Sequence, residues 1–122
     1  LSGKSNDVRQ LLQMEKNGDE NAKLALEVMV YKIKKYIGAY FAALNGADVL
    51  ALSGTISERS AIMRSRICAE LENLGIVLDN EKNNQTISAD GFISKDESPV
   101  KIAVITTDEM SQISAEVAKL VK

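Results

Sequence analysis

The 122-residue chain contains no histidine and no tryptophan, and it has a single cysteine. Without histidine, the commonest general base and the commonest transition-metal ligand are absent, so this segment does not supply acid–base chemistry through imidazole. The lone Cys68 cannot form an internal disulfide, and one thiol is typical of a reducing cytoplasm. Its position within a helical pattern predicts a small buried side chain rather than a nucleophile.

Aromatic residues make up 4% of the sequence, so an aliphatic core is expected. A hydrophobic fraction of 45% over this length suits one globular domain. The net charge of −2 and the lack of a basic stripe argue against a nucleic-acid partner. Lys32, Lys34 and Lys35 are interpreted as the solvated face of a helix. No apolar run approaches the length of a membrane span, so we expect a cytoplasmic protein without a membrane partner.

The chain begins at Leu1 rather than at Met. We therefore expect a piece of a longer protein, or a chain processed at its N-terminus. No signal peptide is recognisable, although a missing N-terminus would hide one.

Hydrophobic periodicity and turn residues predict alternating helices and strands. A short helix from about Asp7 to Glu15 precedes a long helix from Glu20 to Leu44, whose broad apolar face is widened by Leu24, Val28 and Tyr31. We expect this face to be covered by a sheet and by a partner subunit. The remaining predictions are strands at 47–53, 76–78 and 101–105, a helix at 57–73, a polar loop over 79–99 with a short strand at 85–88, and a last helix to the C-terminus. This order predicts an α/β fold with a mostly parallel sheet and flanking helices.

Two predicted strands end in the same way, with a turn, a Thr-led capping box and the start of a helix. The capping boxes are Thr55 to Glu58 and Thr106 to Glu109. Both lie at the carboxyl edge of a parallel sheet, where open α/β folds bind ligands, and the free N–H groups of a helix start suit a phosphate. A third, turn-rich segment runs from Ser2 to Arg9. Any one of these segments taken alone is more often simple helix capping than a ligand site.

Together with these motifs, longer stretches of the sequence resemble the acetate kinase family. The resemblance rests on the Ser-Gly-x-Ser-x-Asp-x-Arg segment, the strand–Gly–x–Ile–x–Glu turn and the long helix. It also rests on shorter pieces, namely Arg66-Ile67-Cys68, Leu74-Gly75-Ile76, Leu78-Asp79 and Lys82-Asn83-Asn84. It covers nearly the whole chain and corresponds to the C-terminal part of an acetate kinase. It implies that residues 1–122 form a single nucleotide-binding domain with an actin-like ATPase, ribonuclease H-like fold.

The resemblance implies reversible phosphoryl transfer between ATP and acetate, giving ADP and acetyl phosphate, with Mg²⁺ as a cofactor. It implies a homodimer, and it assigns acetate binding and all catalytic residues to the N-terminal half that this chain lacks, so the fragment alone is expected to be inactive. By position, Asp7 and Arg9 would contact the adenosine. Glu109 would help to hold Mg²⁺ through water. The adenine and ribose pocket would contain Gly54, Thr55, Ile56 and Arg59.

Departures from the family pattern leave alternatives open. Family members usually carry Gly-Gly-Ile-Gly-Glu-Asn at the first turn, where this chain has Gly54 to Arg59 and lacks two of those glycines. At the last turn, Thr106, Asp108 and Met110 replace a proline, an asparagine and a glutamate. One alternative is therefore a non-catalytic dimerisation module with a degenerate nucleotide site. Another is a propionate or butyrate kinase, because the acyl pocket is not part of this chain.

Overall fold

The computed structural model describes residues 8–54 and 60–106. The described elements are helices α1 (Val8–Lys16) and α2 (Glu20–Leu44), strand β1 (Val49–Ser53), helix α3 (Ala61–Cys68), a 3₁₀ turn (Glu72–Leu74), helix α4 (Asn80–Gln85) and strands β2 (Gly91–Phe92) and β3 (Lys101–Ile105). The predicted order of two helices, a strand and a helix is confirmed. The predicted C-terminal helix lies outside the described residues.

Helix α2 has the bounds that the sequence predicts. Its N-terminus is capped by Asp19, whose side chain accepts a hydrogen bond from the Ala22 N–H at 3.0 Å, and it ends at Asn45 in the left-handed conformation. Leu24 and Tyr31, however, are 48% and 62% exposed, so the prediction that they widen the buried face is wrong. They lie two helical turns apart and therefore share a face, which is opposite the face that buries Leu26.

The sheet has the strand order β1-β3-β2. Strands β1 and β3 are parallel, as predicted, and Ser53 pairs with Ile105 at their carboxyl ends. Strand β2 adds an antiparallel neighbour to β3, because the connection through residues 93–100 is too short for a crossover. The described sheet is thus mixed. Instead of the predicted strand at 76–78, the structure has two isolated bridges, which pair Ile76 with Val100 and Leu78 with Ser94.

The predicted helix at 57–73 is not continuous. Helix α3 begins only after Ser60, whose hydroxyl accepts from the Met63 N–H at 3.1 Å. After Cys68 the helical conformation is lost at Ala69, and Glu70 has a φ of +62°. The 3₁₀ turn that follows is a separate element, so α3 is a short helix anchored by its own cap.

Residues 79–99 are more ordered and more buried than their polar composition predicts. Asp79 caps α4 by accepting from the Lys82 N–H at 3.0 Å, and Asn83, Ser94 and Ser98 are buried. The predicted strand at 85–88 is wrong, since Gln85 ends α4 and the strand lies at 91–92. Polar side chains are buried here because each has a partner; the Ser98 hydroxyl, for example, donates to backbone carbonyls.

The core is aliphatic, as predicted. The larger cluster joins the sheet to α2 and α3 and includes Ile37, Leu52, Ile67 and Val104, while a smaller one joins α1 to α2 and α3. Cys68 is 1% exposed within the larger cluster, which confirms the prediction of a buried side chain. Within residues 8–54 and 60–106, no helix combines the length and the apolarity that crossing a bilayer requires.

Candidate functional site

The carboxyl edge of the sheet brings together two of the segments singled out from the sequence. Gly54 follows β1 and Thr106 follows β3, and these strands are parallel neighbours in register up to the pair Ser53 and Ile105. The chain therefore leaves both strands at the same edge, side by side. Five predicted site residues lie outside the described part of the chain, namely Asp7, Thr55, Ile56, Arg59 and Glu109, and their roles stay predictions.

Gly54 adopts a backbone conformation that favours glycine. Its φ is +100°, and a Cβ atom built on it would meet no heavy atom of the described residues within 4 Å. The turn thus combines a conformation that disfavours side chains with a side on which no described residue lies within 4 Å of the Cβ position.

Arg9 lies in the first turn of α1, with its side chain exposed. Val8 and Leu11 of the same helix belong to the buried cluster that also contains Met63 of α3. This cluster ties the beginning of α1 to the beginning of α3, the helix that follows the Gly54 turn. The structure therefore places Arg9 on a helix that packs against the beginning of α3.

Arg64 is a buried charged residue that the sequence analysis missed. It is 0% exposed, its Nε donates to Asn83 Oδ1 at 2.7 Å, and a terminal nitrogen donates to the Asn83 carbonyl at 2.7 Å and to the Thr86 carbonyl. Asn83 Nδ2 in turn donates to the Ala61 carbonyl at 2.9 Å. Burial lowers the pKa of Arg64, and the nearby Cys68 opposes this shift. Helix α4 thus clamps the first turn of α3.

A sequence signal for this clamp existed. Arg64 stands next to Met63 and three residues before Ile67, on the apolar side of its helix, where an unpaired charge would be costly. Such a residue requires polar partners from elsewhere in the chain. The sequence alone does not identify Asn83 as that partner, because nineteen residues separate the two.

Asp90 is a second residue that the sequence analysis missed. It precedes β2, whose Gly91 pairs with Val104, so Asp90 lies beside the carboxyl end of β3. Its Oδ1 accepts a hydrogen bond from the Thr106 N–H at 2.7 Å. This contact fixes the first residue after β3, at the edge where the candidate site lies.

One concavity lined by described residues lies away from this sheet edge. It has a volume of about 440 Å³ between α1, α2 and the C-terminal end of α3, and its lining includes Glu15, Tyr31, Lys34 and Arg66. Glu15 and Arg66 form an ion pair at 2.7 Å there, so their charges already have partners. Within the described residues, no three or more carboxylate or thiol side chains group in a way that could hold a metal ion. We therefore place the candidate site at the sheet edge and not in this groove.

Comparisons with known proteins agree with this geometry. Residues 1–115 match the model of the Acetokinase family. The acetate kinase of Bacillus cytotoxicus is 43% identical over 120 residues, which cover 98% of this chain and 30% of that protein. The acetate kinase of Porphyromonas gingivalis is 39% identical over 122 residues, which cover 100% of this chain and 31% of that protein.

Solved structures agree as well. The crystal structure of the P. gingivalis acetate kinase matches with a TM-score of 0.85 at 40% identity, over 99% of this chain and 30% of that chain. A propionate kinase from Francisella tularensis matches with a TM-score of 0.76 at 34% identity, over 95% of this chain and 29% of that one. The described α/β architecture is consistent with the predicted actin-like ATPase fold. The chain spans about 30% of the length of the curated relatives it matches, and it belongs to the acetokinase family.

Proposed function

We propose that residues 1–122 form the C-terminal, nucleotide-binding domain of an acetate kinase. In the proposed reaction a carboxylate oxygen of acetate forms a bond to the γ-phosphorus of ATP, the bond to the β-phosphate oxygen breaks, and ADP leaves. One observation carries the proposal, which is that Gly54 and Thr106 leave neighbouring parallel strands at one sheet edge. Ligands of open α/β folds bind at such an edge.

Each proposed contact has a physical basis. No described residue lies within 4 Å of a Cβ position on Gly54, which supports a close approach of the flat face of an adenine to this backbone. The planar guanidinium of Arg9 can stack on a base or pair with a phosphate, and we propose that it contacts the adenosine together with Asp7. Thr55, Ile56 and Arg59 would complete the base and ribose pocket.

We propose Glu109 as the residue that helps to hold Mg²⁺, through water. Magnesium prefers carboxylate and water oxygens, and Glu109 follows the strand end at which Thr106 is fixed. A bound Mg²⁺ would neutralise charge on the phosphates. Acetate and the cations that stabilise the transferring phosphoryl group would come from the rest of the protein, so the domain alone would bind nucleotide without turnover.

Calorimetric titration of the full-length protein with Mg-ADP tests the proposal, using a matched pair of glycines. Gly54 and Gly46 have φ values of +100° and +99°, and in both a Cβ atom would meet none of the described residues within 4 Å. Tryptophan is strained at both positions because both φ values are positive, but only Gly54 lies at the carboxyl end of β1. We expect Gly54→Trp to weaken Mg-ADP binding about tenfold or more and Gly46→Trp to leave it unchanged.

Two results would contradict the proposal. Equal effects of the two substitutions would show that Gly54 acts through folding alone. A wild-type protein that gives no heat at millimolar nucleotide would favour the alternative of a dimerisation module with a degenerate site. This second outcome is a defined alternative, because the first turn of this chain lacks two glycines of the family pattern.

Acetate is the proposed acceptor, and propionate is the main alternative because a propionate kinase is among the matching structures. Acyl phosphate formation from acetate, propionate and butyrate, trapped with hydroxylamine, separates them. The proposal expects the highest kcat/KM with acetate. A higher kcat/KM with propionate or butyrate would reassign the substrate without affecting the nucleotide site.

We further propose that the protein is a cytoplasmic homodimer. The buried free Cys68 and the use of ATP fit a reducing cytoplasm. Helix α2 carries Leu24 and Tyr31 on its outward face, with the half-buried Val28 between them. An outward apolar strip on a long helix suits contact with a second subunit.

A further inference from the structure

We propose that Asp90 is a positioning residue of the nucleotide site. Its exposed carboxylate accepts a hydrogen bond from the Thr106 N–H, at the sheet edge where the candidate site lies. This inference rests on the proposed function and goes beyond it, because Asp90 belongs to none of the three segments that the resemblance assigns to the nucleotide.

The first argument is the register of the sheet. In the antiparallel pair of β2 and β3, Gly91 lies opposite Val104 and Phe92 opposite Ala103. Continuing this register places Asp90 beside Ile105, the last residue of β3. The carboxylate of Asp90 therefore reaches the chain at the point where the sheet ends and the candidate site begins.

The second argument is the hydrogen bond itself. The distance from Thr106 N to Asp90 Oδ1 is 2.7 Å, which is within the range for an N–H donor and a charged acceptor. Thr106 lies beyond the last pair of the β1–β3 ladder, so this bond restrains a backbone group that the ladder does not hold. A displacement of about 1 Å at a substrate-positioning segment is enough to cost a large factor in binding or rate.

The third argument is that the residue after Asp90, Gly91, packs against the side chain of Thr86. A Cβ atom built on Gly91 would lie 3.4 Å from Cγ2 and from Oγ1 of Thr86, so the backbone of Gly91 packs closely on that side chain. The Thr86 hydroxyl donates to the Lys82 carbonyl at 2.9 Å, and the Thr86 carbonyl accepts from Arg64. Asp90 is thus connected through Gly91 and Thr86 to Arg64 of α3.

The test uses the full-length protein with Asp90→Ala, Asp90→Asn and the control Asp96→Ala. Asp96 is an exposed carboxylate that pairs with Lys82 Nζ at 2.8 Å, and its backbone carbonyl bonds to Lys101, at the other end of β3. We expect Asp90→Ala to accelerate hydrogen exchange of the Thr106 amide and to weaken Mg-ADP binding about fivefold. Asp90→Asn keeps an oxygen acceptor at this position and should restore most of both properties, and Asp96→Ala should change neither.

The same substitution is also tested in a protein that carries Thr106→Pro. In Thr106→Pro the donor is absent and φ is fixed, so Asp90→Ala should have no further effect on Mg-ADP binding. The proposal is overturned if Asp90→Ala leaves Mg-ADP binding unchanged, or if Asp90→Asn is as defective as Asp90→Ala, which would indicate a role of the charge. A wild-type protein that binds no Mg-ADP overturns the proposed function and this proposal with it. Normal wild-type binding that is insensitive to Asp90→Ala overturns only this proposal.

Discussion

At the scale of single residues, Arg64 shows how a buried charge can organise a short helix. Its guanidinium is 0% exposed and bonds to the side chain and the backbone of Asn83. Such an interaction adds little net stability compared with an apolar side chain of the same shape, but its partners depend on it. Its main consequence is geometric, because it fixes α4 against α3.

We predict that Arg64→Met destabilises the protein by about 2–4 kcal/mol, since the Asn83 carbonyl and side-chain oxygen lose their donor in a buried place. The control is Arg66→Met, because Arg66 is 37% exposed and pairs with Glu15 at the surface. That substitution should cost less than about 1 kcal/mol. Urea denaturation measures both, and similar losses for the two arginines would contradict a specific role for Arg64.

Cys68 gives a prediction on pH dependence. Burial raises the pKa of its thiol from the ordinary value of 9.0 to about 12, while the positive charges of Lys34 and Arg64 oppose the shift. Because the folded pKa lies above the unfolded one, the contribution of the neutral thiol to stability is complete below pH 9 and is lost as the pH rises from 9 towards 12.

The free energy of unfolding of the wild type relative to Cys68→Ala should therefore fall by about 1 kcal/mol between pH 8 and pH 10. The cavity that alanine creates is the same at both pH values, so the difference isolates the thiol. The same thiol should react with an aromatic disulfide reagent at pH 8 only after unfolding. A pH-independent difference, or rapid labelling of the folded protein, would contradict the burial of a neutral thiol.

At the scale of elements, two helix caps of similar geometry differ in where they lie. Ser60 accepts from the Met63 N–H at 3.1 Å and Asp19 accepts from the Ala22 N–H at 3.0 Å. We predict that Ser60→Ala and Asp19→Ala each cost about 1 kcal/mol of stability. Only Ser60 adjoins the segment that follows Gly54, so only Ser60→Ala should also weaken Mg-ADP binding, by about threefold.

Denaturation and calorimetry on the same samples separate the two effects. Equal weakening of Mg-ADP binding by both cap substitutions would show that binding follows global stability. No weakening by Ser60→Ala would show that the start of α3 is uncoupled from the nucleotide.

The elements also show which parts of the fold a sequence can predict. The bounds of α2 follow from local signals, because Asp19 and Asn45 cap its ends and apolar residues recur along it. Helix α4 has a capping aspartate, Asp79, but no apolar periodicity, since its six residues are polar and its buried residue is Asn83. Asn83 is buried because it accepts hydrogen bonds from Arg64. This contact joins distant parts of the chain, so no local sequence pattern predicts it.

At the scale of the whole molecule, the same distinction applies to the candidate site. The parallel pairing of β1 and β3 is predictable because strands alternate with helices along the chain. The sequence therefore correctly predicts that Gly54 and Thr106 leave one edge of the sheet. Asp90 was not predictable, because β2 is two residues long and its antiparallel register brings the carboxylate to Thr106. Contacts that depend on the register of a short strand have no local pattern in the sequence.

Assembly is the last property of the whole molecule. Leu24 and Tyr31 are 48% and 62% exposed on one face of α2, and Lys35 Nζ lies 5.5 Å from the centre of the Tyr31 ring. We predict that Leu24→Glu with Tyr31→Glu dissociates the proposed homodimer of the full-length protein into monomers, since four carboxylates would oppose each other across a two-fold axis.

The control for this prediction is Ile87→Glu with Phe92→Glu, which adds the same charge at residues that are 50% and 61% exposed on other elements. Sedimentation velocity over a range of concentrations measures the dimer fraction of both variants. If the control pair dissociates the dimer and the α2 pair does not, the subunit contact lies near β2. In that case the outward face of α2 has another partner, and the nearest candidate is the remainder of the same polypeptide, because this chain covers about 30% of the length of its relatives.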